Sequence, residues 1–386
     1  MNVLIFPSWY PRTDNPLSGV FFREQAVALK KAGVNVYVLV LNCIGGIRYS
    51  LRNFTFKSKR HYYDDDGVKT YKIDYINYFP ARYFPKLHYW YNGIVLKSFF
   101  RFIECSNTMQ VDIVHIHSAT NAGIYYYFSK IDKKYVITEH STGYCEKLIS
   151  PLQAKYLPFV FSHASRVITV GYGLKKDLSI YTSKSIDVIF NMVSMNKYFP
   201  TEDGNKKSFR FFSLGLDAHR KGMDILINAF ARSSICKSAE LYIAGLEQSE
   251  IESLKTIITN NDLMKNIQLS GKLSREEVAY YMYNSDCFVL TSRFETFGVV
   301  FIEAMYFGKP VIASMTGGPD TYITKETGLL VPVGDVGATR EAMENIFFNY
   351  NKYDKEYIKK YAKDNFSEEI ITKKIINIYH NVIGEK

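Results

Sequence analysis

Two carboxylates, two adjacent cations and a pair of glycine turns in the second half of the chain could do chemistry together. The stretch Ser292-Arg293-Phe294-Glu295-Thr296-Phe297-Gly298-Val299-Val300-Phe301-Ile302-Glu303-Ala304 puts Glu295 in a loop and Glu303 inside the helix that follows. Between them, Phe297 and Gly298 open that helix and present free backbone N–H groups, a place for phosphate or other anionic oxygens. Gly298 lets the backbone come close to a ligand. Carboxylates eight residues apart make two separate contacts, and paired sugar hydroxyls suit such acceptors. The plain alternative is a capping carboxylate and a solvated Glu, which alone is equally good. Arg220-Lys221-Gly222 ends a strand–turn segment just before another helix. Two fixed cations there can neutralise a departing diphosphate, against the alternative of a solvated basic turn. Thr316-Gly317-Gly318-Pro319 allows close backbone approach or is simply a tight turn. Asp64-Asp65-Asp66-Gly67 has an Asp-x-Asp spacing that could hold a divalent ion, but Gly67 between Tyr-rich segments reads as a solvated hairpin turn; no metal is expected.

The elements that position these residues alternate short apolar runs with helical periodicity, the rhythm of parallel α/β architecture. Strands are expected at Val3–Phe6, 34–40, Asp112–Ile116, Tyr135–Thr138, Arg166–Val170 and Asp187–Phe190, followed by a connector over Asn191–Pro200. A Pro/Gly-rich loop from Pro7 to Gly19 leads to a helix with Phe22, Ala26 and Leu29 on one face, closed by Gly33. The rhythm restarts with strands Phe209–Leu214, Ala239–Ala244, Ile267–Leu269, Cys287–Thr291 and Val311–Ala313. Helices are expected at Met223–Ala231, Ser274–Met282 and Val299–Phe307, with a last one over Ser367–Ile383. Two α/β units follow from this, with chemistry expected in the loops after each strand.

A chain of 386 residues is long enough for two domains. Its charge of +10 is lopsided: residues 1–190 carry 24 Lys and Arg against 13 Asp and Glu, and residues 191–386 carry 24 against 25. The first half therefore expects an anionic partner, whether nucleic acid, membrane surface or phosphorylated lipid. Cys43, Cys105, Cys145, Cys236 and Cys287 lie far apart with no metal-ligand spacing, as in a reducing compartment. The chain enters a strand at once and has no apolar run of the ~20 residues that span a bilayer. The expectation is a cytoplasmic protein whose membrane contact, if any, is peripheral on the inner face of the cytoplasmic membrane.

The C-terminal half resembles the retaining GT-B glycosyltransferases of family 4 (glycosyl transferases group 1). The likeness is carried by Glu295-x7-Glu303, Arg220-Lys221-Gly222, Gly271-Lys272-Leu273, Gly308-Lys309-Pro310-Val311-Ile312 with Thr316–Pro319, Gly328-Leu329-Leu330-Val331 and Gly334-Asp335, in order across 209–340. The N-terminal half is similar more loosely: Pro11 through Gly19, Asp112-Ile113-Val114-His115-Ile116-His117 and Thr138-Glu139-His140. The resemblance implies the GT-B fold, two Rossmann-like parallel-sheet domains facing across a cleft. It implies an acceptor-binding domain over 1–190, a nucleotide-sugar-binding domain over 191–364, and a C-terminal helix within 365–386 crossing back to the first domain. It also implies site roles. Glu303 binds the donor ribose, Glu295 faces the transferred sugar, and Phe297 and Gly298 supply backbone contacts. Lys221, helped by Arg220, stabilises the departing diphosphate. The backbone near Lys272 and Leu273 holds the base, Gly19 admits the phosphates, and His117 touches the sugar while His115 is structural. Leu216 departs from the family, where Arg often follows the glycine equivalent to Gly215. Front-face attack, with the leaving phosphate taking the acceptor proton, follows from the resemblance and needs neither cofactor nor metal.

The implied activity moves a hexose or N-acetylhexosamine from a UDP- or GDP-sugar to a saccharide acceptor, polyprenyl-diphosphate-linked, in bacterial capsule, O-antigen or exopolysaccharide synthesis. Residues 75–102 mix Tyr, Phe and Trp90 with Arg82, Lys86, Lys97 and Arg101, which suits either an anionic membrane interface or a core helix with a solvated basic side. Rival readings are a sugar-nucleotide epimerase or hydrolase on the same fold, and a non-catalytic sugar-nucleotide-binding subunit. A dinucleotide oxidoreductase is excluded where Phe6-Pro7-Ser8-Trp9-Tyr10 replaces the glycine fingerprint after the first strand; Gly171-Tyr172-Gly173 does not restore it. No nucleic-acid motif accompanies the positive charge.

Overall fold

A computed structural model describes residues 1–12, 18–46, 58–105, 110–195, 198–204, 206–259 and 265–384. Part of the expected Pro7–Gly19 loop (13–17) and of the Asn191–Pro200 connector (196–197) lies outside them. The chain divides into two compact units. One comprises Met1–Val170, Leu174–Met192 and Glu368–Lys386, the other Gly171–Gly173 and Val193–Ser367.

The first unit is built on an eight-stranded sheet in the order β3-β4-β2-β1-β5-β6-β7-β8. These strands are β1 Asn2–Pro7, β2 Asn35–Gly45, β3 Lys59–Asp65, β4 Val68–Ile76, β5 Ile113–His117, β6 Tyr135–Glu139, β7 Arg166–Thr169 and β8 Ile186–Val188. All neighbours are parallel except β3 and β4. Strands covered on both faces should be apolar throughout, and β1 (Val-Leu-Ile-Phe) and β5 are buried almost end to end. The strands expected in this unit coincide with observed ones within a few residues, while β3 and β4 were not expected; β2 runs on to Gly45 because its outer residues pair with β4. The closing helix, Glu368–Gly384, belongs to this unit. Its Ile371, Ile375, Tyr379 and Val382 join Val3, Ile5, Ala26, Leu29 and Val36 in one buried cluster.

Asp66 and Gly67 turn the β3–β4 hairpin with φ of 52° and 83°, the left-handed pair that such a turn requires. The aspartates are not simply solvated, however. Asp65 accepts from Arg23 Nε at 2.8 Å and from Tyr10 Oη at 3.0 Å, and Asp66 from Arg23 Nη2 at 2.7 Å. That Asp-rich run anchors the first helix, Val20–Lys31.

The second unit carries a six-stranded parallel sheet, β11-β10-β9-β12-β13-β14. Its strands are β9 Phe209–Leu214, β10 Ala239–Ala244, β11 Ile267–Leu269, β12 Cys287–Leu290, β13 Val311–Ser314 and β14 Gly328–Val331. The two strands nearest the candidate chemistry, β9 and β12, are hydrogen-bonded neighbours in the middle of the sheet, with Phe212 opposite Phe288. Among the described residues, no helix is long and apolar enough to cross a membrane.

Candidate active site

In the second unit, the loops leaving β9 and β12 bring Lys221 and Glu295 together. Helix Met223–Ala231 begins after the β9 loop and is entered through Gly222 at φ 65°. A Cβ there would lie 2.0 Å from the Thr291 carbonyl oxygen, so only glycine allows this approach. Thr291 Oγ1 donates back to the Gly222 carbonyl at 2.7 Å. Arg293 completes the tie: its N–H donates to Arg220 O at 2.8 Å and its guanidinium grips both oxygens of Asp224 at 2.9 and 2.8 Å. The two loops are thus one assembly, clamped on both sides of the residues of interest.

Within it, Lys221 Nζ donates to Glu295 Oε2 at 2.6 Å, with side chains only 15% and 12% exposed. Burial pushes the Glu295 carboxyl up, but the Lys221 ammonium, the Phe297 N–H and the nearby Arg220 outweigh it and hold the group below the usual carboxylate range. The sequence reading treated Lys221 and Glu295 as independent and left the Phe297 N–H free for a ligand. Both groups are in fact engaged with Glu295, because the turn into helix Val299–Tyr306 folds that carboxylate back over its own N-terminus. Gly298 is that helix's left-handed cap at φ 83°. Phe297 is buried, and its carbonyl accepts from Tyr322 Oη at 2.6 Å. Arg220 is 35% exposed and stands 3.7 Å from Asp217.

Glu303, a turn and a half into that helix, is 2% exposed. One oxygen accepts from Arg275 Nη2 at 2.6 Å; the other is buried with no partner. The two carboxylates make separate contacts, as their spacing requires. Arg275 was missed by sequence reasoning, though a signal existed. Ser274-Arg275-Glu276-Glu277 is a capping box, realised here with Ser274 N donating to Glu277 at 2.7 Å, and it fixes Arg275 as the first residue of helix Arg275–Asn284.

The remaining donor-side residues flank these pairs. Lys272 is exposed, and its ammonium pairs with Glu247 at 2.7 Å. Just before it, Gly271 O accepts from Gly245 N at 2.9 Å, setting the course of the chain into Leu273. In Thr316–Pro319, a Cβ on Gly318 would meet the Glu295 carbonyl at 2.6 Å, so this loop packs directly on the Glu295 turn. The Gly171-Tyr172-Gly173 glycines serve the same packing: Gly173 N donates to Gly317 O at 2.9 Å.

In the first unit, Gly19 is the left-handed cap of helix Val20–Lys31, with φ 74°. His115 and His117 point to one side of β5 and are both fully buried. His115 is bonded on both nitrogens, to Tyr379 Oη at 2.5 Å and Thr138 Oγ1 at 2.7 Å, and burial pushes its pKa down to about 3. His117 Nδ1 faces His140 Nε2 at 3.1 Å, with Phe22 against its ring, while its Nε2 has no partner. Burial, with His115 and His140 beside it, keeps His117 well below the ordinary histidine range and therefore neutral. Sequence reasoning expected His117 at a ligand; here it is enclosed, with one nitrogen unused. Glu139, at the end of β6, is fully buried yet accepts from Ala119, His140 and Ser141 N–H and from Tyr144 Oη at 2.8–3.0 Å. Burial raises its pKa against those donors, and its part is to hold the turn.

Among the described residues no cluster of three or more His, Cys, Asp or Glu could hold a metal ion. The arrangement in the second unit can do two things: fix a diol at a buried carboxylate with one unsatisfied oxygen, and meet growing negative charge with Lys221 and Arg220.

Comparison with known proteins gives the family and the fold of the chain. Residues 18–197 match the family described as Glycosyltransferase Family 4, and residues 194–365 match Glycosyl transferases group 1. The N-acetyl-alpha-D-glucosaminyl L-malate synthase of Bacillus anthracis is 25% identical over 304 residues, covering 73% of this chain and 78% of that protein. An uncharacterized 41.2 kDa protein in the cps region of Klebsiella pneumoniae is 23% identical over 291 residues, 69% and 78% of the two chains. Among solved structures, sucrose-phosphate synthase from Thermosynechococcus elongatus superposes with a TM-score of 0.76 at 18% identity over all of both chains. Anabaena HepE in complex with UDP and glucose does so with 0.69 at 15% identity, over 98% and 99%. These likenesses show the GT-B fold.

Proposed function

We propose that this chain, which belongs to the family 4, group 1 glycosyltransferases, transfers a hexose or N-acetylhexosamine from a UDP- or GDP-sugar with retention of configuration. The acceptor is a saccharide carried on a polyprenyl diphosphate, and the product feeds bacterial surface polysaccharide synthesis. The observation that carries the reading is the Lys221–Glu295 pair, clamped between the loops of β9 and β12 beside the Gly298 helix start. A relative that bears an N-acetylglucosaminyl name, another in a cps region and a fold neighbour holding UDP and glucose support the donor and pathway.

In this reading Glu303 accepts from the ribose hydroxyls through the oxygen that lacks a partner, while Arg275 keeps the other oxygen fixed. The backbone near Lys272 and Leu273 holds the base. The bond from the anomeric carbon to the diphosphate oxygen breaks as the acceptor oxygen bonds on the same face. The acceptor proton passes to the leaving phosphate. Negative charge grows on that phosphate, and Lys221, shared with Glu295 and aided by Arg220, stabilises it together with the Phe297–Gly298 helix start. Glu295 orients the sugar and balances its positive character. No metal is needed, and a chelator leaves turnover unchanged.

Leu216 is the observation that favours the second reading, a non-catalytic nucleotide-sugar binder, since it stands 43% exposed where relatives often carry Arg. Against it, the aliphatic stem of Lys221 crosses Gly215, where a Cβ would lie 2.8 Å from its Cγ, so a cation already occupies this turn. A thermal-shift panel of UDP-, GDP-, ADP- and CMP-sugars on wild type and Glu303→Ala tests the proposal, because a bound ligand stabilises by mass action. One donor class raising the melting temperature, less so in Glu303→Ala, supports it. No shift with any donor sinks it, and donor consumption without acceptor points to an epimerase or hydrolase. The anomeric configuration of the product tests retention.

A further inference from the structure

Tyr322 follows the short helix Pro319–Thr321 and is 3% exposed. Its hydroxyl has one proton to donate and shares it between two carbonyls, Phe297 O at 2.6 Å and Gly298 O at 3.1 Å. Burial and the neighbouring Glu295 carboxylate push the phenol well above its ordinary range, so that proton stays on. The tyrosine is itself fixed. Tyr361, on helix Lys355–Phe366, donates to the Tyr322 carbonyl at 2.7 Å. The Tyr322 ring packs against Phe297 and Phe366, with centroids 5.1 and 5.3 Å away.

The hydroxyl holds the two peptide units through which the chain enters helix Val299–Tyr306. In a trans peptide the C=O and N–H point opposite ways. Drawing the Phe297 carbonyl towards Tyr322 therefore turns the Gly298 N–H away from it. Drawing in the Gly298 carbonyl does the same for the Val299 N–H. Gly298 is left-handed, at φ 83° and ψ 63°, and the residues after it are helical. Successive N–H groups in such a turn form a concavity that suits an anion. As the first donors of a helix they have no carbonyl to meet within it. The Phe297 N–H is engaged by Glu295, so the pair that follows is what a phosphate meets. Further along the same helix Glu303 keeps one buried oxygen without a partner, a second contact for the same ligand.

We propose that Tyr322 is a positioning residue for the donor diphosphate: by holding the Phe297 and Gly298 carbonyls, its hydroxyl aims the Gly298 and Val299 N–H groups at the phosphate oxygens. The proposal rests on the transferase reading and adds to it a residue that itself touches no substrate.

The test is titration calorimetry of the full chain with uridine, UDP, guanosine and GDP, on the parent, Tyr322→Phe and Phe366→Leu. Tyr322→Phe keeps the ring and its packing and removes only the hydroxyl. The nucleoside, held through ribose and base, should bind as it does to the parent. The matching diphosphate should bind about tenfold more weakly, as for one weakened hydrogen bond to a charged group. Nucleoside binding in the same sample reports that the site is folded. Phe366→Leu loosens the packing but leaves the hydroxyl in place. It should lower the melting temperature and keep the parent's ratio of diphosphate to nucleoside affinity. Equal weakening of nucleoside and diphosphate in Tyr322→Phe, or the same change of ratio in Phe366→Leu, would make the role merely structural and overturn the proposal. A parent that binds UDP or GDP beside a Tyr322→Phe variant that binds it equally well would overturn this proposal alone. A parent that binds neither diphosphate would overturn the transferase reading, and the proposal with it.

Discussion

Replacing Lys221 by Met should separate two jobs that the structure assigns to one ammonium group. In the ligand-free protein Lys221 neutralises Glu295 at 2.6 Å, with both side chains largely buried. At that distance and an effective dielectric near ~20, the raw attraction is about 6 kcal/mol, most of it offset by the desolvation of both groups. Removing one partner of a buried pair costs about 3–5 kcal/mol. Here Glu295 keeps the Phe297 N–H and the nearby Arg220, so a loss of about 2–3 kcal/mol is expected. Adding Glu295→Gln removes the stranded charge and should restore most of that loss. Turnover should behave differently. If Lys221 also meets the charge on the departing phosphate, its loss lowers kcat about 100- to 1000-fold, and no change at Glu295 brings it back. The assays are urea unfolding for stability and quenched-flow release of nucleoside diphosphate for turnover. Turnover that recovers with stability in the double variant would refute the reasoning, leaving Lys221 only a counter-ion for Glu295. Near-normal turnover in Lys221→Met alone would refute it more directly.

Arg275→Met should raise the donor KM about tenfold with kcat nearly unchanged, since the cation fixing Glu303 is lost but not the group at the phosphate, and Arg275→Lys should restore part of it; a fall in kcat at constant KM would contradict this. Gly222→Ala forces a Cβ to within 2.0 Å of Thr291 O in a left-handed backbone, so it should destabilise by more than about 2 kcal/mol and lower the melting temperature; a melting curve like the parent's would mean that the loops relax freely. His115 and His140 are held neutral by burial, each with a pKa near 3. Below about pH 6.5 the unfolded chain binds protons that the folded one refuses, so stability is full above that pH and falls as pH drops towards 3. The loss at pH 5 is about 2 kcal/mol for each imidazole, read as a falling midpoint in urea titrations. A midpoint that stays level from pH 7 to 5 would show that these rings are charged or hydrated.

The period of the apolar runs was enough to locate most of the buried parallel strands, but not β14 or the β3–β4 hairpin, whose outer strand is exposed. A buried parallel strand must be apolar on both faces, and that leaves a mark within a few residues. Glycine positions were legible for a similar reason, because a left-handed turn such as Asp66-Gly67 or Gly298 admits few residue types. Glu303 and Lys221 stood out by spacing within a known pattern.

What those groups face was decided only when distant segments met. Arg275 and Glu303 are 28 residues apart, Lys221 and Glu295 are 74, and His115 and Tyr379 are 264. No local rule of periodicity or capping reaches across such separations. The capping box could place Arg275 at the start of a helix, but not aim it at a carboxylate on another. His117 shows the limit most clearly. Its place at the end of a strand was readable from the chain, yet its complete enclosure by Phe22, His115 and His140 arises from the packing of a helix and two neighbouring strand ends. Helix Pro85–Cys105, which takes up most of the aromatic and basic stretch 75–102, is the converse case. Its mixed composition was plain, and only the fold revealed which side was left facing solvent, because burial is a property of the partner surface as much as of the helix itself.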